Sequence, residues 1–170
     1  MLKKLFPQRT ENSIYDIDYS SLFEKGIKFL IFDLDNTVAP YDVPEPDEKM
    51  TAFFTVLKQK GFALCFLSNN EGARVERFNR TLGLFAVSKA RKPKTSGVNR
   101  ALTLMGGSAS QTAIVGDQLL TDIWCGNRAG IMTIHVKPVA DRDEWTVRLK
   151  RPIERLIFKR YKKFARKKKP

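Results

Sequence analysis

Short unbroken apolar runs alternate along the chain with segments whose apolar residues recur every three or four positions. The runs at 27–32, 62–67, 84–87, 112–115 and 131–136 are rich in β-branched and aromatic residues. They are too short for helices, so each predicts a buried strand. Met50, Phe53, Phe54 and Leu57 predict a helix over 50–60, closed by Gly61. Val75, Phe78 and Leu82 predict a second over 72–82, stopped by Gly83. Val98, Ala101, Leu102 and Met105 predict a third over 95–105, stopped by Gly106 and Gly107, and a fourth spans 119–129. Residues 1–26 read as a short amphipathic start, a break at Pro7 and a small helix over 19–25. Residues 38–47, with Pro40, Pro44 and Pro46, read as an irregular loop. Strands alternating with helices over short connections predict an α/β fold of three layers, with a five-stranded, mainly parallel sheet.

Chemistry gathers where the predicted strands end, the edge at which open α/β sheets bind ligands. The first strand runs into Asp33-Leu34-Asp35-Asn36-Thr37. Side chains two apart on an extended chain share a face, so Asp33 and Asp35 are expected to converge on one cation or phosphate. A hard cation such as Mg²⁺ relieves the repulsion of two such carboxylates. The same residues also suit a turn and helix cap. A calcium loop of the EF-hand type is excluded, because Val38 and Pro44 stand where it needs Gly and Glu. Asp16-Ile17-Asp18 repeats the spacing without a preceding strand and reads as the start of the small helix.

The second strand runs into Ser68-Asn69-Asn70-Glu71, which has the form of a capping box and of a phosphate site at a helix start. Arg91-Lys92-Pro93-Lys94 follows the third strand. Alone it is a solvated basic loop; beside a phosphate, one lysine balances the charge of a transferred phosphoryl group. The fourth strand leads to Gly116-Asp117, with Asp122 five residues on. Gly116 allows close backbone approach, and Asp117 supplies another hard oxygen. Asp122 suits a dipole-compensating acid in a first helical turn.

In this order the set resembles the haloacid dehalogenase-like (HAD) phosphohydrolases, and the small size and the Ser-Asn-Asn and Lys-Pro forms resemble their subfamily IIIA. The opening Met-Leu-Lys-Lys-Leu-Phe-Pro and Ser-Ile-Tyr-Asp-Ile-Asp resemble the bacterial YqeG family more narrowly, a family related to the mitochondrial phosphatidylglycerophosphatases. The resemblance covers roughly residues 27–136 and implies a Rossmann-like fold and a Mg²⁺-dependent phosphatase. It implies Asp33 as nucleophile and Asp35 as general acid and base. It implies Mg²⁺ on Asp33, the backbone carbonyl of Asp35 and Asp117, and phosphoryl oxygens held by Ser68 and Lys92. Asn69 lies near the substrate, Asp122 orients Lys92 or a metal-bound water, and Lys94 is the rival of Lys92. One loop and one helix fit between Asp35 and Ser68, and one helix and one strand between Ser68 and Lys92, so no cap domain is expected. An open site suits a phosphate on something large, such as a lipid, a nucleic acid or a protein.

Charge divides the chain into a domain over 1–147 and a basic tail over 148–170. The tail carries twelve Lys or Arg against Glu154, so +11 of the net +13 lies there and +2 elsewhere. Leu149, Ile153, Leu156, Ile157, Tyr161 and Phe164 recur through it at helical steps, from a start near Pro152. Such a helix can lie on an anionic membrane, with Leu2, Leu5 and Phe6 as a second contact. It can also pack on its own domain, or bind RNA or the ribosome through phosphates. The reading is a phosphatase acting on phosphatidylglycerophosphate at the membrane surface; the alternative is a ribosome- or RNA-associated binding protein with incidental phosphatase activity. Cys65 and Cys125 lie in apolar segments without metal-ligand spacing and read as buried thiols, and His135 alone reads as structural. No signal peptide or membrane span is evident, so a cytoplasmic location, peripheral on the inner face of the membrane, is expected.

Overall fold

The computed structural model describes residues 2–140 and 149–166; Arg148 and Lys167 to Lys169 of the predicted tail lie outside the described residues. Six strands form one parallel sheet in the order β1-β6-β5-β2-β3-β4. They are β1 (Arg9–Glu11), β2 (Phe29–Phe32), β3 (Ala63–Leu67), β4 (Phe85–Val87), β5 (Thr112–Gly116) and β6 (Met132–Val136). The sheet therefore has one strand more than the five expected. The extra strand, Arg9-Thr10-Glu11, pairs with Ile134 to Val136 at the edge. It is short and polar, so no apolar run marks it.

Among the described residues six α-helices surround the sheet: α1 (Tyr19–Glu24), α2 (Glu48–Gln59), α3 (Gly72–Asn79), α4 (Ser96–Met105), α5 (Trp124–Ala129) and α6 (Arg151–Arg166). The side-chain alternation of β2 explains the layers. Leu30 and Phe32 face one side, in a core with Leu22 of α1, Phe54 and Leu57 of α2, and Val75 and Phe78 of α3. Ile31 faces the other, with Val98, Ala101 and Met105 of α4 and Cys125 of α5. Burial pushes the Cys65 and Cys125 thiols up to about 12 and about 11, so both stay protonated and inert near neutrality.

A third, smaller core holds the two ends of the chain. Ile157 of α6 packs with Leu119 and Ile123, and Leu5, Phe6, Leu120 and Phe158 close over them. Phe6 meets Tyr161 and Phe164, with ring centroids 5.7 and 5.5 Å apart. The Asn127 amide donates to the carbonyls of Lys4 and Phe6. The apolar stripe of the tail is thus divided. Ile157, Phe158, Tyr161 and Phe164 turn to the body, whereas Leu149, Ile153 and Leu156 stay exposed. Leu5 and Phe6 are spent on this internal packing and only Leu2 remains exposed. Among the described residues no helix is long and apolar enough to cross a membrane.

From β2 the chain proceeds outward through β3 to β4, then returns to β5 on the other side of β2. The carboxyl ends of β2 and β5 therefore flank the switch point where such sheets form a crevice. One loop and α2 separate Asp35 from Ser68, and α3 and β4 separate Ser68 from Lys92, so no cap domain is inserted there.

Candidate active site

Asp33 follows β2 directly and Asp117 follows β5 directly, which places two buried carboxylates side by side across the switch point. Thr37 ties them together. Its hydroxyl accepts the Asp117 backbone N–H at 3.0 Å, and its one proton faces Asp117 Oδ1 at 3.1 Å and Asp33 Oδ2 at 3.3 Å. The chain reaches Thr37 through a tight turn in which Asn36 takes the left-handed conformation, φ 63°, and the Asn36 N–H donates to the Ala39 carbonyl.

Asp122 joins them from a feature the periodicity concealed. The helix expected over 119–129 is in fact a π-helical turn, Leu119–Ile123, running into α5. Such wide turns are frequent at functional sites, and this one carries Asp122 inward, fully buried, rather than outward as a dipole-compensating acid. Gly116 makes room for it: a Cβ there would lie 2.4 Å from the Asp122 Cβ.

Lys92 bridges the cluster, its Nζ 2.5 Å from Asp33 Oδ1 and 2.7 Å from Asp122 Oδ1. Burial alone would push its ammonium down, but Asp122 and Asp33 more than reverse that and hold it protonated. Of the basic loop, only Lys92 is buried, while Arg91 and Lys94 are exposed. Asn69 explains the aim of Lys92: its Oδ1 accepts the Lys92 N–H at 2.7 Å and its Nδ2 donates to the Lys92 carbonyl at 3.1 Å. Both ends of the Asn69 amide are thus engaged on the backbone of Lys92, which fixes the segment that carries its ammonium.

Asp35 lies past the end of β2 and meets residues at the end of β3 and on α3. Asp35 Oδ2 accepts from Asn70 Nδ2 at 2.9 Å and from Ser68 Oγ at 3.4 Å, and Arg74 Nη2 lies 3.3 Å from Oδ1. Ser68 makes no capping box. Its hydroxyl accepts the Asn70 N–H, the N-cap of α3 is Glu71, and the Glu71 carboxylate pairs with Lys89. Thr37, Asn70, Arg74, Arg151 and Glu154 are the functional neighbours that the sequence did not single out. Thr37 and Asn70 lay inside quoted motifs, whereas Arg74, Arg151 and Glu154 are marked by no local pattern.

Among the described residues Asp33, Asp117 and Asp122 form a group able to hold a metal ion, each offering an oxygen within 4.8 Å of the others. An all-carboxylate set of this kind suits a hard divalent cation. The electrostatics point the same way. Burial, and then Asp122, push the Asp33 carboxyl well above the usual range. Burial and Asp122 raise Asp117 to about 7, even with the Arg151 guanidinium beside it.

This has a measurable consequence. The folded carboxyl of Asp117 titrates at about 7, against about 3.9 in an unfolded chain. The metal-free folded state therefore holds a proton that the unfolded chain has lost, and stability declines as pH rises through 7. His135, pushed down to about 4 by burial, acts oppositely, but only below its unfolded value of about 6.5. In EDTA the Tm is expected to fall from pH 6.5 to about 7.5 and to level off above that, where Asp117 is ionised in both states. A divalent cation bound by this group needs the ionised carboxylates, so the gain from saturating it grows over the same window. At a hundredfold excess over Kd it is worth about 2.7 kcal/mol, or roughly 5–10 °C. Thermal melts by fluorimetry check this, and an EDTA profile rising with pH would contradict it.

The sequence profile of the HAD-hydrolase-like family matches residues 89–156. The chain is 38% identical over 164 residues to a Bacillus subtilis protein named Probable phosphatase YqeG, covering 96% of this chain and 95% of that one. It is 30% identical over 169 residues to a Chlamydomonas reinhardtii protein named Phosphatidylglycerophosphate phosphatase 1, chloroplastic, covering 94% of this chain and 63% of that one. An Arabidopsis thaliana protein of the same name, chloroplastic/mitochondrial, is 27% identical and is spanned over 48% of its length, with 92% of this chain covered. The fold is similar to that of a HAD-superfamily hydrolase from Ehrlichia chaffeensis, with a TM-score of 0.52 and 16% identity over 65% of this chain and 88% of that one. It is also similar to the cobalt-bound deoxy-D-mannose-octulosonate 8-phosphate phosphatase of Haemophilus influenzae, with a TM-score of 0.51 and 18% identity over 67% of this chain and 80% of that one.

Proposed function

Since the chain belongs to the HAD phosphatases, in the family of the Bacillus subtilis relative, we propose that it is a Mg²⁺-dependent phosphomonoesterase whose substrate is phosphatidylglycerophosphate at a membrane surface. The observation that carries the chemistry is the buried trio Asp33, Asp117 and Asp122 with Lys92 laid across it. Asp33 attacks phosphorus, the bond to the leaving alcohol breaks, and an aspartyl-phosphate forms. Asp35, two residues on, gives its proton to the departing oxygen. It then takes one from the water that hydrolyses the intermediate and frees Asp33. Lys92 and Ser68 hold the phosphoryl oxygens. Asp33, Asp117 and the Asp35 carbonyl would hold Mg²⁺, whose charge lets an anionic nucleophile approach an anionic phosphate. Asp122 and Asn69 set the ammonium and the backbone of Lys92.

Three things support the lipid substrate: the names of the algal and plant relatives, the absence of a cap between the motifs, and the outer face of α6. That face presents Ile153 and Leu156 beside Arg155, Lys159, Arg160, Lys162 and Lys163, with Leu149 just before the helix. On an anionic leaflet each cation near the surface contributes about 1 kcal/mol. The test is phosphate release from phosphatidylglycerophosphate in mixed micelles, with Mg²⁺ and with EDTA. Small phosphate esters and a phosphorylated RNA end serve as comparators. Mg²⁺-dependent release favouring the lipid is the expected result. Hydrolysis of the small esters alone would keep the chemistry and remove the substrate.

A further inference from the structure

The C-terminal helix reaches the centre of the site. Arg151, in the first turn of α6, places Nη2 2.6 Å from Asp117 Oδ2 and Nη1 3.4 Å from the Asp117 carbonyl. Glu154, one turn on, is buried; its Oε2 lies 3.3 Å from Arg151 Nη1 and its Oε1 accepts the Leu120 N–H at 3.0 Å. Leu120 belongs to the same π-helical turn as Asp122. Two residues of the tail thus touch Asp117 and the backbone that carries Asp122.

We propose that Arg151, anchored by Glu154, is a positioning residue for Asp117 as a metal ligand, so that α6 is a working part of the metal site. The inference rests on the Mg²⁺ phosphatase reading above.

One observation separates this from the opposite possibility, that Arg151 merely stands where a metal would go: which oxygen it takes. Thr37 bridges Asp117 Oδ1 to Asp33, so Oδ1 is the oxygen turned toward the other carboxylate, while Arg151 takes Oδ2. A cation shared by Asp33 and Asp117 can bind Oδ1 and leave the arginine in place. Outer contacts of this kind fix the orientation of a ligating carboxylate, and their loss typically costs 10–100-fold in metal affinity.

Calorimetric titration of the full-length chain with Mg²⁺, for wild type, Arg151→Gln, Arg151→Lys and Glu154→Gln, tests the proposal. Arg151→Gln is expected to weaken Mg²⁺ binding about tenfold or more, and activity to recover as Mg²⁺ is raised. Arg151→Lys keeps the charge but cannot reach Asp117 and Glu154 with separate nitrogens, so it falls between wild type and Gln. Glu154→Gln leaves the arginine but loosens its anchor and is expected to weaken binding also, which keeps the idea testable if Arg151→Gln misfolds. Tighter binding by Arg151→Gln would show the arginine competing with the metal and overturn the proposal, as would unchanged affinity. Failure of the wild type to bind Mg²⁺ would instead remove the metal-dependent reading itself.

Discussion

Asp33→Asn is expected to reduce phosphate release by roughly 10⁴-fold or more, the scale seen when a nucleophile is removed, while leaving the protein at least as stable. The two effects have one origin. Asp33 is buried among carboxylates, and burial with Asp122 pushes its pKa well up. In the metal-free protein its ionised form is therefore a liability that Asn removes without changing the side-chain outline. On the proposed mechanism Asn cannot form the acyl phosphate, so activity is lost with the fold intact. Phosphate release in Mg²⁺ and thermal melting in EDTA, on the same preparation, check both halves. Residual activity near a tenth of wild type would mean that some other group attacks phosphorus. A Tm well below wild type would mean that Asp33 holds the site together and is not a cost to it.

The contrast between those two halves reflects what a sequence can show. The strand ends were legible because a buried parallel strand needs a continuous apolar run, and the run of residues 27–32 stops at Asp33, just as that of 112–115 stops short of Asp117. Lys92 was legible from its Pro neighbour and its place in the order of motifs. β1 was not, since an edge strand can be three polar residues held by backbone hydrogen bonds to β6. Asp122 was visible as a residue but not in its direction, because a π-helical turn rotates the side chain inward and leaves no compositional mark. Arg151 and Glu154 were hidden most thoroughly. In a tail with twelve basic residues, nothing local separates the one arginine that reaches Asp117 from those that face solvent. Only the docking of Ile157 and Phe158, itself dependent on Leu5 and Phe6 from the far end of the chain, selects it.

Lys92→Met is expected to have the largest effect on stability of any single change at the site. The substitution keeps an unbranched apolar stem of similar reach and removes the charge. Lys92 is 7% exposed and its ammonium touches Asp33 and Asp122 together. Breaking one partner out of a buried pair leaves an uncompensated charge and costs about 3–5 kcal/mol, here with two carboxylates left facing each other. For a domain of this size that lowers the Tm by roughly 6–20 °C. Catalysis should fall by roughly 10²–10³ as well, the cost of one lost charge-stabilising donor. The charge argument also predicts a rescue. Lys92→Met with Asp122→Asn removes cation and anion together, so the double variant should lose less stability than the two single variants summed, by a coupling energy of about 0.5–3 kcal/mol, without regaining activity. Urea unfolding of Lys92→Met, Asp122→Asn and the double variant, in EDTA at pH 8, closes the cycle. If Lys92→Met melts within a degree of wild type, the lysine is not neutralising the buried carboxylates. If the double variant is merely additive, the contact between Lys92 and Asp122 carries no stability of its own. Rescue of stability without rescue of turnover would assign Lys92 both roles: the counter-charge that lets three buried acids coexist before substrate arrives, and the donor that meets the phosphoryl group when it does.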